Sequence, residues 1–170
     1  MSRDLMFDIE TFDNKPTSLV LTIGLVWFDF DNPEVEPYDG QHHRLNPEEQ
    51  KGRTISAGTV LWWLQQDKAA QESLQLGEYT TIGNVQGAVE GAVKQADRVW
   101  AKGPDFDCVI LASLFPAIKW PFWKHRDVRT VLDVAGIRDR KFEGIAHNAL
   151  DDAVNQANAL REAVAKLRAK

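Results

Sequence analysis

The chain has 170 residues, enough for one domain around one core, and residues 1–170 read as a single unit without a linker or repeat. Its 44% hydrophobic and 26% charged residues exclude a disordered or collagen-like protein. A net charge of −5 argues against passive binding of a polyanion, but not against an enzyme whose metal-binding carboxylates add to that charge.

The only cysteine, Cys108, excludes an internal disulfide and fits a reducing cytoplasm. Met1-Ser2-Arg3-Asp4 lacks the basic start and apolar core of a signal peptide. The longest apolar stretch, Leu19 to Phe28, is broken by Thr22 and Gly24 and is too short to span a bilayer. A cytoplasmic protein with no membrane partner is expected.

In chain order, residues 4–10 read as a short strand and residues 19–30 as a long one rich in β-branched and aromatic residues. A third strand around 41–45 completes a meander, with His42 and His43 exposed on or beside its edge. Ser56 to Gln66 reads as a helix, continued from Asp67 to Leu74, and Gly77 to Gly83 as a loop. On the first of these helices Ala57, Val60, Leu61 and Leu64 share one face. Trp62 points nearly opposite beside Gln66, and Trp63 lies on the flank. Asn84 to Gln95 reads as a helix and 97–101 as a strand. Gly103-Pro104 is a breaker, and Asp105 suits the N-cap of a helix running to about Leu114. Residues 125–136 hold a short helix. The last helix starts near Asn148 and packs through Ala149, Ala153, Ala157, Leu160, Val164 and Leu167. Strands first, then strand and helix alternating, give an α/β class with a mixed sheet.

Three short clusters carry the chemistry. In Asp8-Ile9-Glu10 the two carboxylates share one face of a strand, an unfavourable pairing in apolar surroundings unless a cation lies between them. Alone, the tripeptide is common and fits a strand end facing water better than a metal site. Asp107 falls in the first turn of its helix, where a carboxylate also complements the helix dipole, and Asp105 competes with it. His147 precedes the last helix. If the helix had already begun there, Asp151 rather than Asp152 would share its face. If Asn148 is the cap, Asp151 takes position N3 and can serve backbone N–H groups, while His147 sits on the loop, free to turn toward Asp152.

The order Asp-x-Glu, then Phe106-Asp107 opening a helix, then His147-x-Ala149-x-x-Asp152-Ala153 resembles the DEDDh 3′–5′ exonucleases of the RNase H-like superfamily. Trp62-Trp63, Gly103-Pro104-Asp105-Phe106-Asp107 and Arg126-Asp127-Val128-Arg129-Thr130 are most similar to the group containing the phage DexA-type exonucleases and the exoribonuclease RNase AS. The resemblance, not the spacing, selects Asp152 over Asp151. It implies an RNase H-like mixed five-stranded sheet flanked by helices. It also implies two divalent cations, Mg²⁺ or Mn²⁺, held by Asp8, Glu10, Asp107 and Asp152, with His147 deprotonating the attacking water. The product would be a nucleoside 5′-monophosphate.

For substrate, Thr11 and Phe12 fall where related enzymes hold the terminal nucleotide, Trp62 and Trp63 are candidates to stack on unpaired bases, and Arg126 and Arg129 to contact phosphate. Arg126 and Arg129 lie in a stretch from Lys119 to Lys141 with seven Lys or Arg against three Asp, which reads either as a phosphate track or as a solvated face. The partners expected are single-stranded DNA or RNA 3′ ends, with DNA slightly favoured from the phage-type resemblance. Exposed tryptophans and an apolar terminal helix permit a homodimer. The competing readings are an RNase H-like nucleic-acid-binding module without activity, a metal-independent sugar hydrolase using Asp8 and Glu10, and a tryptophan-rich protein adaptor.

Overall fold

The computed structural model describes residues 3–138 and 141–169. Among these residues six strands form one mixed sheet: β1 (Asp4–Thr11), β2 (Val20–Phe28), β3 (Tyr38–Leu45), β4 (Tyr79–Thr80), β5 (Arg98–Ala101) and β6 (His125–Asp127), in the order β4-β3-β2-β1-β5-β6. β1, β2 and β3 are an antiparallel meander, while β4 pairs parallel with β3, β5 with β1, and β6 with β5. The expected RNase H-like α/β class holds, with six strands in place of five. The extra strand, β4, has two residues and lies in the stretch read as a loop. It is too short for a hydrophobic alternation and exists through its pairing with Arg44 and Leu45.

Both faces of the sheet are covered. Leu5, Phe7 and Ile9 of β1 point into the larger core with Val89, Ile110 and Leu111, from the helices α3 (Ile82–Gln95) and α4 (Asp107–Leu114). Met6 points the other way, with Val26, Phe28 and Trp100, against Ala153, Ala157 and Leu160 of α6 (Ala149–Arg168). β2 is apolar on both faces because it is buried on both, as a central strand requires. Of the expected α6 stripe, Ala149, Ala153, Ala157, Leu160 and Val164 are buried and Leu167 is partly so. The remaining helices are α1 (Ala57–Trp63), α2 (Lys68–Ser73) and α5 (Val128–Ala135). The caps of α1, α5 and α6 are local and chemical: Ser56 accepts from Thr59 N, Asp127 from Arg129 and Thr130 N, and Asn148 from Leu150 and Asp151 N.

Several expectations are corrected. Asp105 is not a cap: α4 begins after Phe106, which makes no side-chain cap bond. The 125–136 segment divides into β6 and α5, and α1 stops at Trp63, leaving α2 as a separate helix that begins after Asp67 without a side-chain cap bond. His42 and His43 are half-buried rather than exposed, because β4 extends the sheet beyond β3 and the Leu150 side chain of α6 reaches β3 at Gly40. On α1 the buried residue is Trp63, while Leu61 and Leu64 are exposed. The Trp63 indole reaches under the end of β1 and donates to Thr11 O at 3.0 Å, an anchor that helix periodicity does not encode.

At the opposite end of β1, Asp4 is fully buried and accepts from Arg98 Nε (2.6 Å), Arg98 Nη2 (3.0 Å), Trp100 Nε1 (2.8 Å) and Phe30 N (3.0 Å). Removing Asp4 strips the acceptor from the Trp100 Nε1 and Phe30 N donors and leaves Arg98 with Asp31 as its remaining carboxylate partner. Asp4→Ala should therefore destabilise the fold by about 3–5 kcal/mol, read as a lowered urea midpoint.

Candidate active site

β1 and β5 run parallel as neighbours, so both carboxyl ends meet one rim of the sheet. Ligand sites in open α/β sheets collect there. Asp8 and Glu10 stand on the β1 face turned toward α6. β5 leads through Gly103 (φ 111°) into α4 and delivers Asp107. Only glycine adopts that backbone easily, and a Cβ there would also strike the Arg129 guanidinium. Asp107 is buried, and its Oδ1 accepts from Ile9 N at 3.2 Å, so α4 is tied to the residue between the two β1 carboxylates.

The fourth carboxylate comes from α6. Asn148 caps that helix, and His147 lies on the preceding loop at φ 64°, a left-handed conformation costly for a non-glycine residue. Three bonds hold the loop. His147 N donates to Asp152 Oδ2 (2.8 Å), Ser73 Oγ of α2 donates to His147 O (3.3 Å), and Ile145 N donates to Asp151 Oδ2 (2.8 Å). Asp151 thus serves the loop, not the carboxylate cluster. Glu10, His147 and Asp152 each place a possible ligand atom within 4.8 Å of the other two.

Electrostatics tie the four carboxylates together. Burial raises the Asp8 carboxyl well above its ordinary value, and the charges of Asp107 and Asp152 raise it further, against the Gln156 hydrogen bond and the Lys102 charge. Glu10 is raised by burial and then by Asp8, Asp152 and Asp107. Burial lifts Asp107 to about 7, against backbone hydrogen bonds and the Arg129 charge. Asp152 is raised by burial, opposed by the His147 N–H and the His147 and Lys102 charges. Four acids crowded and desolvated in this way form a hard, oxygen-rich donor set that suits Mg²⁺ or Mn²⁺.

A cleft of about 340 Å³ opens beside Glu10, lined among others by Thr11, Thr59, Trp62, Trp63 and Phe106. Trp62 is 41% exposed, and its ring meets the His147 imidazole edge to face, centroids 4.9 Å apart, with Trp63 5.9 Å from the same imidazole. The tryptophans therefore brace the histidine as well as wall the cleft. Phe12 does not line the cleft. Its backbone, bonded to Leu19 O and Ser56 N, fixes the start of α1 against β1. Arg126 is exposed and turns its guanidinium onto Trp123 O and His125 O, while Arg129 approaches Gly103 near Asp107. The basic stretch does not form one track: Lys124 is bonded to Val93 O and Ala96 O, and Asp139 and Arg140 lie outside the described residues. Sequence reasoning missed Gln156, buried one turn beyond Asp152, whose Nε2 donates to Asp8 Oδ1 at 2.6 Å. Its position at i+4 from Asp152 on one helix face was the available signal.

An RNase H-like sheet carrying an Asp-x-Glu strand, a helix-borne Asp and a His-x₄-Asp turn at one rim defines the DEDDh exonuclease superfamily. Within it the chain belongs to the 3′–5′ exoribonuclease Rv2179c-like domain family, whose model matches residues 3–164. No curated protein matches the chain in sequence at a significant level. Among solved structures the fold is similar to that of cell-death related nuclease 4 (CRN-4), with a TM-score of 0.63 and 16% identity over 95% of this chain and 63% of that one. It is also similar to E. coli ExoI in a zinc-bound complex with single-stranded DNA (TM-score 0.68, 14% identity, 99% of this chain and 41% of that one). The E. coli Exonuclease I complex with a dT13 oligonucleotide gives a TM-score of 0.66 at 15% identity, over 98% of this chain and 41% of that one. The chain thus spans less than two thirds of each of these proteins, and at such identities the likeness is one of fold. No helix among the described residues is long and apolar enough to cross a membrane.

Proposed function

We propose that this chain is a metal-dependent 3′–5′ exonuclease that removes nucleoside 5′-monophosphates one at a time from single-stranded 3′ ends. The observation that carries this reading is the meeting of Asp8, Glu10, Asp107, Asp152 and His147 at one rim, beside a cleft walled by two tryptophans. RNA is proposed as the preferred strand. The phage-type sequence resemblance tilts toward DNA, but the family to which the chain belongs is described by an exoribonuclease.

In this mechanism Asp8, Glu10, Asp107 and Asp152 would hold the divalent cations, which would supply Lewis-acid stabilisation of the negative charge that develops at the phosphodiester. The 3′-terminal nucleoside lies in the cleft between Thr11 and Trp62. His147 accepts the proton of the attacking water, with its imidazole braced by Trp62 and Trp63 and its backbone fixed to Asp152. Gln156 keeps Asp8 turned toward the cluster. Because Trp62 touches both the cleft and His147, Trp62→Ala should raise KM for single strands roughly 5- to 150-fold, corresponding to ~1–3 kcal/mol of stacking, and lower kcat as well. An unchanged KM would remove Trp62 from the substrate site.

The reading is tested with 5′-labelled RNA and DNA of one sequence, each incubated with the protein and with Asp8→Ala, in Mg²⁺, Mn²⁺ or chelator. A descending ladder that requires metal and Asp8, and is faster on RNA, is expected. Faster decay of DNA would overturn the sugar preference alone. No ladder on either strand in either metal would overturn the exonuclease reading and favour a binding module.

A further inference from the structure

A second cavity, of about 200 Å³, borders the carboxylate cluster at Asp152, between the end of β5, α5 and α6, and shares no lining residue with the first cleft. Asp152 and Gln156 form its wall toward the cluster, Val128, Leu132 and Phe142 supply apolar surface, and Lys102, Arg138 and Lys141 surround it with positive charge. No hydrogen bond or ion pair engages these three cationic groups among the described residues. Gln156 Oε1 on the same wall is shielded and has no partner either.

We propose that this cavity is the subsite for the nucleotide on the 5′ side of the scissile bond. The proposal rests on the exonuclease reading. Glu10 borders the first cleft, Asp152 borders the second cavity, and the two lie within ligand-sharing distance of each other. A phosphodiester seated at the cluster therefore has one nucleoside on each side. Charge sets the polarity. A 3′-terminal nucleoside carries no further phosphate beyond it, and the cleft beside Trp62 includes no Lys or Arg in its lining. The preceding nucleotide carries another phosphate on its own 5′ side, and the second cavity supplies three cations for it. The volume suits one base, lying on Leu132 and Phe142, rather than a duplex.

The test compares the wild type with an Arg138→Ala/Lys141→Ala double variant, both positions being exposed. Three substrates are used: a 5′-phosphorylated ribodinucleotide, the same dinucleotide without that phosphate, and a p-nitrophenyl nucleoside 5′-monophosphate, which reaches the cluster and first cleft but has no upstream nucleotide. The wild type should favour the 5′-phosphorylated dinucleotide in kcat/KM. In the double variant the ratio of that substrate to the p-nitrophenyl ester should fall roughly tenfold, with a shallower salt dependence on longer strands. A 5′ phosphate without effect in the wild type, or an equal loss on all three substrates, would overturn the subsite. If the wild type hydrolyses none of them, the exonuclease reading fails instead. Calorimetric binding of the 5′-phosphorylated dinucleotide in Ca²⁺ then decides the cavity, with equal affinity of wild type and variant counting against it.

Discussion

Asp8→Asn should abolish strand degradation and, at the same time, raise the melting temperature of the metal-free protein. Both follow from one electrostatic fact. Asp8 is buried against Asp107 and Asp152, and its carboxyl is raised well above its ordinary value by burial and by those charges. Without bound cations, an amide in its place removes repulsion, keeps an acceptor for Gln156 Nε2, and should stabilise the fold by about 1–2 kcal/mol. With the charge gone the cations are held poorly, and the loss of charge stabilisation in the transition state should reach ~10³-fold or more in kcat. A variant that is inactive but less stable than the wild type would mean that Asp8 holds the fold together rather than storing strain for function.

The same crowding gives stability a signed pH dependence. Burial holds Asp107 at about 7, against an ordinary 3.8, so between these values the folded state binds more protons than the unfolded. Its contribution is fully present below pH 3.8 and is lost as pH rises through about 7. Asp8, Glu10 and Asp152 are shifted in the same direction. Divalent cations prefer the deprotonated acids, so the gap between melting temperatures in Mg²⁺ and in chelator should widen from pH 5 to pH 8. A gap that is constant with pH would place the metals away from these carboxylates.

What was legible in the sequence was local. Asp8 and Glu10 share a face because strands alternate, and Asn148 caps α6 because its side chain reaches two nearby N–H groups. The convergence of Asp107 and Asp152 on that strand was not local, and came from the order of motifs shared with a known superfamily. Spacing alone left Asp105 and Asp151 as rivals. The structure separates them by long-range bonds, Ile9 N to Asp107 and Ile145 N to Asp151. The expected face of α1, Ala57, Val60 and Leu61 with Leu64 beyond its end, gives way to Trp63, which is buried and whose indole bonds Thr11 O across 52 residues, a long-range contact that periodicity does not encode. The cavity cations were illegible for the same reason: Lys102 and Arg138 come from different elements and meet only once α5 and α6 dock.

Gly24→Ala should cost both fold and activity, although Gly24 touches no substrate in the proposed mechanism. In β2 it is paired directly with Asp8 of β1. A Cβ there would drive into the backbone of Ala149 and Leu150, so the first turn of α6 rests on the bare glycine. This close approach sets where Asn148 caps the helix and hence where His147 and Asp152 stand relative to Asp8 and Glu10. Backbone cannot yield as a flexible side chain can, so a methyl group must push α6 outward. Overpacking of this kind typically costs ~1–3 kcal/mol, and a shift of ~1 Å in catalytic geometry alone can lower the rate ~10²-fold. Gly40→Ala on neighbouring β3 is the control, because its added carbon would meet only the Leu150 Cδ1 and Cδ2 and Val26 Cγ2 side-chain atoms, at 3.1–3.8 Å, and these can give way. Thermal melts and kcat measured in parallel should separate the two glycines. A Gly24→Ala protein as stable and active as the Gly40→Ala control would show that the site tolerates a displaced α6, and that the fit of helix to strand does not set its geometry.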